Sequence, residues 1–494
     1  MITDQGATTN EPRLRRNNLS LPNAIALSAA LMGPVLAVIL NAPAAGPSAG
    51  SALVLAFLIS MIVCLFTGNT LIQFARQLPS SGSFYTFTSR GLGSGAGFFT
   101  GWLFFGAYAA LSAGLFGANG FFAQNYVEAT FHTNLPWWLY GAFFTAIVFM
   151  LSYRSIKSSV RVDLALLIVE VVVFLVLATI AIIKAGHGNS LVGFTPAGSH
   201  HGLSGIGLGV VFGILSFIGF DAAATLGEES RNPKRTIPLA VGGAVLLVGL
   251  FYVFVMYGLV AGYHLNSASG LKSFVTDPTP FVTLAHRYAP WLVELVDLCA
   301  IAGLFSAFLA LQNTTIRVIF SMGREGALPP FLGVVHPKYH SPHRAIYALT
   351  IFTVVTALPI GVWLGPGPTG LYGFTGSIGT VGVVIVYMLC NLALIRYFYH
   401  HKNFNVILHV VFPILGIVGL IYPLWETVIP GQAFPYNLVP YIVGLYILWG
   451  LGTYVYLRRS PEKLAAFGSV VLEEPIVRAE EGGILDAPLE PPAH

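Results

Sequence analysis

Charge is what this chain has least of. Only 9% of its 494 residues are Asp, Glu, Lys or Arg, against about 25% in an ordinary soluble domain. So few charges cannot cover a water-soluble surface of this size, which makes lipid the solvent for most of it. The net charge of +4 is too small to leave an electrostatic footprint for nucleic acid. Cysteine is scarce as well. Cys64, Cys299 and Cys390 all lie inside apolar runs, where they read as packed free thiols rather than disulfide partners. No G-x-x-x-x-G-K-[ST] stretch cradles a nucleotide phosphate. No Ser-His-Asp or metal-hydrolase pattern emerges. His336, His340 and His343 share one loop but lack the fourth ligand and rigid frame of a metal site. No enzyme chemistry, metal or cofactor is expected.

Long apolar runs are abundant. Stretches long enough to cross a bilayer, ~20 residues each, fall near 21–45, 51–75, 95–124, 136–153, 162–184, 204–227, 237–262, 290–321, 344–363, 371–397, 406–425 and 438–457. The run after Leu19 is too long for the ~7–15-residue core of a signal peptide and reads as the first span. The expected class is therefore an all-α integral membrane protein with about twelve spans. Lys and Arg then set orientation. Arg13, Arg15, Arg16, Arg76, Arg90, Arg154, Arg235, Arg324, Arg344, Arg396 and Arg458 fall on one side, with most of the remaining basic residues. Lys184, Lys272 and Arg287 fall on the other. That asymmetry places both termini in the cytoplasm, and an even number of spans agrees with it.

Two spans carry helix-weakening residues near mid-membrane. The first reads Met32-Gly33-Pro34-Val35, where Pro34 has no N–H and Gly33 adds freedom. In the sixth, Ser216, Gly219 and Asp221 interrupt an apolar run. Five spans separate the breaks, and the two spans run in opposite directions. This is the layout of an inverted repeat, with substrate held where the discontinuous helices face each other. The expected organisation is a tail over 1–18, a first repeat over 19–184, a second over 204–397, two further spans over 406–458, and an acidic, proline-containing tail over 461–494.

Residues 216–238 contain G-F-D, six residues, then E-E-x-x-N-P-x-R-x-I-P, from Gly219-Phe220-Asp221 through Glu228-Glu229 and Asn232-Pro233 to Ile237-Pro238. This resembles the signature of the amino acid–polyamine–organocation permeases. Span 8 ends N-x-x-x-R-x-x-x-x-M-x-R-x-G-x-L-P, from Asn313 to Pro329, and Leu78 to Tyr85 is similar to the family's P-x-x-G-G-x-Y-x-Y. The resemblance covers about residues 20–460. It implies five-plus-five inverted repeats with two extra helices, and a substrate site around Met32, Gly33, Pro34, Phe217, Gly219, Phe220 and Asp221.

Other residues carry separate expectations. Glu170 falls where many sodium-independent members of the family hold a lysine whose ammonium replaces a sodium ion near span 1. A buried carboxyl there is a candidate to carry a coupled proton or to pair with a cationic substrate. Ser306 marks the region of span 8 where sodium-coupled relatives of the fold use a hydroxyl pair. No adjacent pair stands here, so proton coupling or exchange is favoured over sodium. Glu228 and Glu229, with Arg231 and Arg235, are candidates for an inner gate, against the plainer reading of a solvated helix end. Phe217 and Phe220 are candidates for gating rings, with Tyr108 and Tyr372-Gly373-Phe374 behind them. Pro34 removes one donor from the break of span 1. That leaves amines and polyamines open beside α-amino acids.

The expected function is secondary transport of amino acids or related amines across the cytoplasmic membrane by alternating access. A polyamine or diamine carrier is the near alternative. An ion channel and a transport-dead sensor are the alternatives of another class.

Overall fold

The computed structural model describes residues 21–78, 83–154, 160–221, 233–324, 326, 328–339, 341–399, 401, 403–429 and 432–458. Glu228, Glu229 and Arg231 lie outside the described residues, as do both tails. In hydrocarbon every backbone N–H and C=O must be satisfied within the segment, which leaves a long apolar chain the helix or the closed barrel. The described residues contain helices and no strand.

The helices are α1 (Leu21–Met32), α2 (Pro34–Leu36), α3 (Ala42–Ala49), α4 (Leu53–Gln77), α5 (Ser83–Leu92), α6 (Ser94–Phe131), α7 (Trp137–Tyr153), α8 (Val160–Lys184), α9 (Gly202–Phe217), α10 (Pro233–Tyr263), α11 (Ala268–Val275), α12 (Pro280–Tyr288), α13 (Val293–Arg324), α14 (His343–Leu364), α15 (Gly373–Phe398), α16 (Phe412–Val428) and α17 (Val439–Arg458). π-Helical turns at Ala37–Asn41, Pro368–Tyr372 and Ile407–Val411 lead into α3, α15 and α16.

Nine helical stretches among the described residues are long and apolar enough to cross a membrane, and α7 and α9 are shorter apolar helices. The first stretch, 28–77, holds two spans. Gly50, at φ 59°, folds it back. Side-chain positions confirm the reversal. Ile25 lies against Gly243, and Ile72 lies against the neighbouring Gly242, so the two arms run side by side. At 38 residues, α6 is about 57 Å long. It exceeds the ~30 Å hydrocarbon layer, so it projects beyond it. The two short helices α11 and α12 join spans 7 and 8 and were not anticipated from the sequence.

Small residues set the spacing. Gly209 and Gly213 of α9 sit against Ala56 and Ser60 of α4, and Gly114 of α6 against Thr375 of α15. A Cβ at either of the last two glycines would collide with the neighbouring helix, which is how membrane helices approach closely. The described basic residues segregate. Arg76, Arg90, Arg154, Arg235, Arg324, Arg344, Arg396 and Arg458 stand at one end of the bundle, here the basic face. Lys184, Lys272 and Arg287 stand at the other. Apolar side chains such as Val362 on α14 and Leu445 on α17 are exposed, as a lipid-facing surface requires. Cys64, Cys299 and Cys390 are buried free thiols.

Candidate functional site

The first break forms because its residues cannot continue a helix. Gly33 sits at φ 55°, and Pro34 starts the next helix without an N–H to satisfy. Gly33 N–H donates back to Ala30 O at 3.0 Å, and Ala37 N–H donates to Gly33 O at 2.9 Å. The second break follows α9. Ile218 leaves the helical region at ψ 128°, and Gly219 stands at φ 109°, where a side chain is strained.

The two breaks touch. A Cβ on Gly219 would stand 2.7 Å from Leu31 O and 3.2 Å from Met32 N. Only a glycine permits this approach of backbone to backbone. Tyr252 of α10 serves both chains. Its hydroxyl donates to Ser216 O at 2.8 Å and lies 3.5 Å from Met32 O. Each carbonyl is one that a broken helix leaves open. Ser28 Oγ donates to Phe220 O at 3.4 Å. Nothing in the signature motif marked Tyr252. A tyrosine within an apolar run was the one available signal.

The aromatic candidates separate. Phe217 is fully buried and meets Tyr252 edge-on, with centroids 5.2 Å apart. Phe220 lies against Tyr387 at 5.5 Å and Phe84 at 6.3 Å. Asp221 is 6% exposed and stands within electrostatic reach of Tyr108, Tyr387 and Cys390. Phe217 and Phe220 therefore face different neighbours, one on α10 and the other on α5 and α15.

Glu170 of α8 is also 6% exposed. A Cβ on Gly303 of α13 would stand 3.2 Å from its Oε2 and 3.4 Å from Val35 Cβ. The carboxyl thus lies where α8, α13 and α2 converge, two residues beyond the break at Gly33. Among the described residues, no lysine or arginine is paired with it. On α13 it is Ala307, not Ser306, that faces Gly33, with its Cβ 3.4 Å from where a Gly33 Cβ would stand. Ser306 is half-buried one position away. Arg235 is exposed in the first turn of α10, apart from the breaks. Tyr372 is drawn in through Asn41, to which its hydroxyl donates at 2.9 Å. Together these residues surround the two breaks with carbonyls, hydroxyls, aromatic faces and two acids.

Known proteins share this arrangement of sequence. The pattern of the amino acid permease family matches residues 19–450. A branched-chain amino acid permease of Bacillus subtilis is 28% identical over 360 residues, covering 69% of this chain and 74% of its own. A low-affinity putrescine importer of Escherichia coli is 27% identical over 363 residues, covering 71% of this chain and 74% of its own. The crystal structure of a manganese transporter from Eremococcus coleocola superposes with a TM-score of 0.51 at 12% identity, covering 90% of this chain and 94% of that one. That last likeness carries the fold alone. The family match, however, runs without interruption from the first span into the last. The chain therefore belongs to the amino acid permease family and is a multi-pass membrane transporter, not an enzyme.

Proposed function

We propose that the protein carries amino acids or related amines across the cell membrane by alternating access, with both termini in the cytoplasm and the repeats spanning 19–184 and 204–397. The observation that supports this most directly is the backbone contact of Gly219 with Leu31 and Met32. It brings two interrupted helices side by side, and irregular backbone within a membrane is tolerated only in a protein-lined site. Substrate binds around Met32, Gly33, Pro34, Phe220 and Asp221. Glu170 carries the coupled proton. Phe217 and Phe220 close the site on one side. Glu228, Glu229, Arg231 and Arg235 close it on the basic face. Sodium is the less favoured ion, because Gly303 and Ala307, not hydroxyls, face the break.

A second reading, a diamine carrier, has its own support. Glu170 and Asp221, both buried beside the breaks, are carboxyl groups. An ammonium group is their natural counter-charge.

The test is uptake into proteoliposomes of the purified protein, with leucine and putrescine each as labelled substrate and as competitor. Saturable uptake that exchanges with internal substrate is expected. Unsaturable ion conductance would establish a channel. Binding without flux would establish a sensor.

A further inference from the structure

Two of the π-helical turns end on residues that meet. The turn Ala37–Asn41 lies between the break of the first span and α3. The turn Pro368–Tyr372 leads into α15, with Gly370 at φ −92° and ψ −116° inside it. The first is a π turn, a device that recurs at functional positions; the second is a kink at Gly370 between helical stretches. Here they aim Asn41 and Tyr372 at each other. Tyr372 OH donates to Asn41 Oδ1 at 2.9 Å, Asn41 Nδ2 donates to Ser216 Oγ at 2.8 Å, and Ser216 Oγ donates to Phe212 O at 2.9 Å. The chain runs in one direction. Its three side chains are buried to within 1% of full enclosure.

The chain joins three elements: the turn before α3, which carries Asn41 and touches α10; helix α9, which carries Ser216 and packs on α4; and the turn before α15, which carries Tyr372 and packs on α6 and α15. It also lies on one side of the breaks. Ile39, in the same π turn as Asn41, joins Phe122, Phe281, Val282, Val296 and Ala300 in lining a narrow apolar gap beneath α12. That gap is on the face opposite the basic residues.

We infer that Tyr372, Asn41 and Ser216 form a latch that shuts the site toward the face opposite the basic one, and that it must part before substrate enters from that side. The three are positioning residues and need not touch substrate. The hydrogen bonds are neutral and buried, so each is modest in net effect and reversible within a transport cycle. The inference rests on the alternating-access reading above, but its test needs no substrate.

The reporter is Ala300→Cys in a chain whose three native cysteines are replaced by serine. Labelling is by a membrane-impermeant maleimide. Ser273→Cys, on the exposed surface of α11, identifies the face the reagent reaches. Tyr372→Phe and Ser216→Ala each remove one link. Each is expected to raise labelling of Ala300→Cys from the Ser273 face by about fivefold, the factor one net buried hydrogen bond is worth. Labelling from the basic face should not rise. Unchanged rates in both well-folded variants would overturn the inference. So would an equal rise from both faces, which would mark general loosening. Should one variant misfold, the other carries the test. Absent leucine and putrescine flux would sink the substrate assignment and leave this result intact.

Discussion

Gly219→Ala is the sharpest probe of the contact between the two breaks. The substitution costs stability twice. At φ 109° an L-residue incurs at least the ~1–2 kcal/mol of a left-handed conformation. Its Cβ would also stand 2.7 Å from Leu31 O and 2.9 Å from Leu31 C, so backbone must shift, at ~1–3 kcal/mol for overpacking. Together these give roughly 2–5 kcal/mol. Gly33→Ala is the internal control. Its φ of 55° carries the same conformational cost, but its Cβ would meet only Leu36 and Ala307 side chains, at 3.3 and 3.4 Å. It should cost roughly 1–2 kcal/mol. The assay is monodisperse protein remaining after heating in detergent, paired with uptake in proteoliposomes. Gly219→Ala is expected to lose more of both than Gly33→Ala. Equal thermal loss for the two alanines, or wild-type behaviour of Gly219→Ala, would refute the claim that the breaks touch through backbone.

Tyr252→Phe removes one hydroxyl and keeps the ring contacts with Phe57 and Phe217. It leaves the buried Ser216 carbonyl without its donor, so a loss of ~1–3 kcal/mol in stability is expected, with wild-type stability contradicting the bridging role. Asp221→Asn is expected to weaken substrate binding by about tenfold or more, the scale of a charge-assisted hydrogen bond, while expression is retained. Thermal-shift titration reads this, and wild-type affinity would assign Asp221 to structure alone.

Both breaks were legible because glycine and proline act locally. Pro34 lacks an N–H and Gly33 and Gly219 accept positive φ, so these residues mark where a helix can break. The spans were legible because hydrocarbon thickness fixes their length. Expected runs such as 136–153 and 344–363 fall within a residue of α7 and α14. The run 95–124 is longer than a ~20-residue span needs, and α6 extends further still. Asn41 with Tyr372 was not legible. The partners are 331 positions apart, and π turns that no local propensity marks bring them into register. Nor could the sequence tell which way adjacent aromatics point. Phe217 and Phe220 flank the same glycine, yet the break between them turns one toward α10 and the other toward α15. Glu170 was legible as a lone acid in an apolar run. Its facing partner Gly303 was not, because a glycine in a helix has no pattern of its own.

On the proposal that Glu170 carries the coupled proton, its position ties the coupling ion to the substrate. The helix that starts at Pro34 leaves the Val35 and Leu36 N–H groups without partners inside the helix, since Ala37 N–H is the first to bond back. These N–H groups are the positive end of a half-helix. Glu170 converges on Val35 at that end. A substrate carboxylate seeking the same N–H groups would meet an ionised Glu170 as a like charge in a medium of low dielectric. On the same proposal, a zwitterionic amino acid binds with Glu170 neutral and brings a proton with it. A diamine has no carboxylate to seat. It binds best with Glu170 ionised and leaves the proton behind. On the reading proposed above, the sign of the pH effect reports the substrate class. Leucine-like uptake should rise as the pH on the loading side falls, and putrescine-like uptake should rise as it is raised. Glu170→Gln fixes the side chain neutral, so it should flatten either dependence, keep zwitterion binding, and lose diamine binding. An unchanged pH profile in Glu170→Gln would remove Glu170 from coupling.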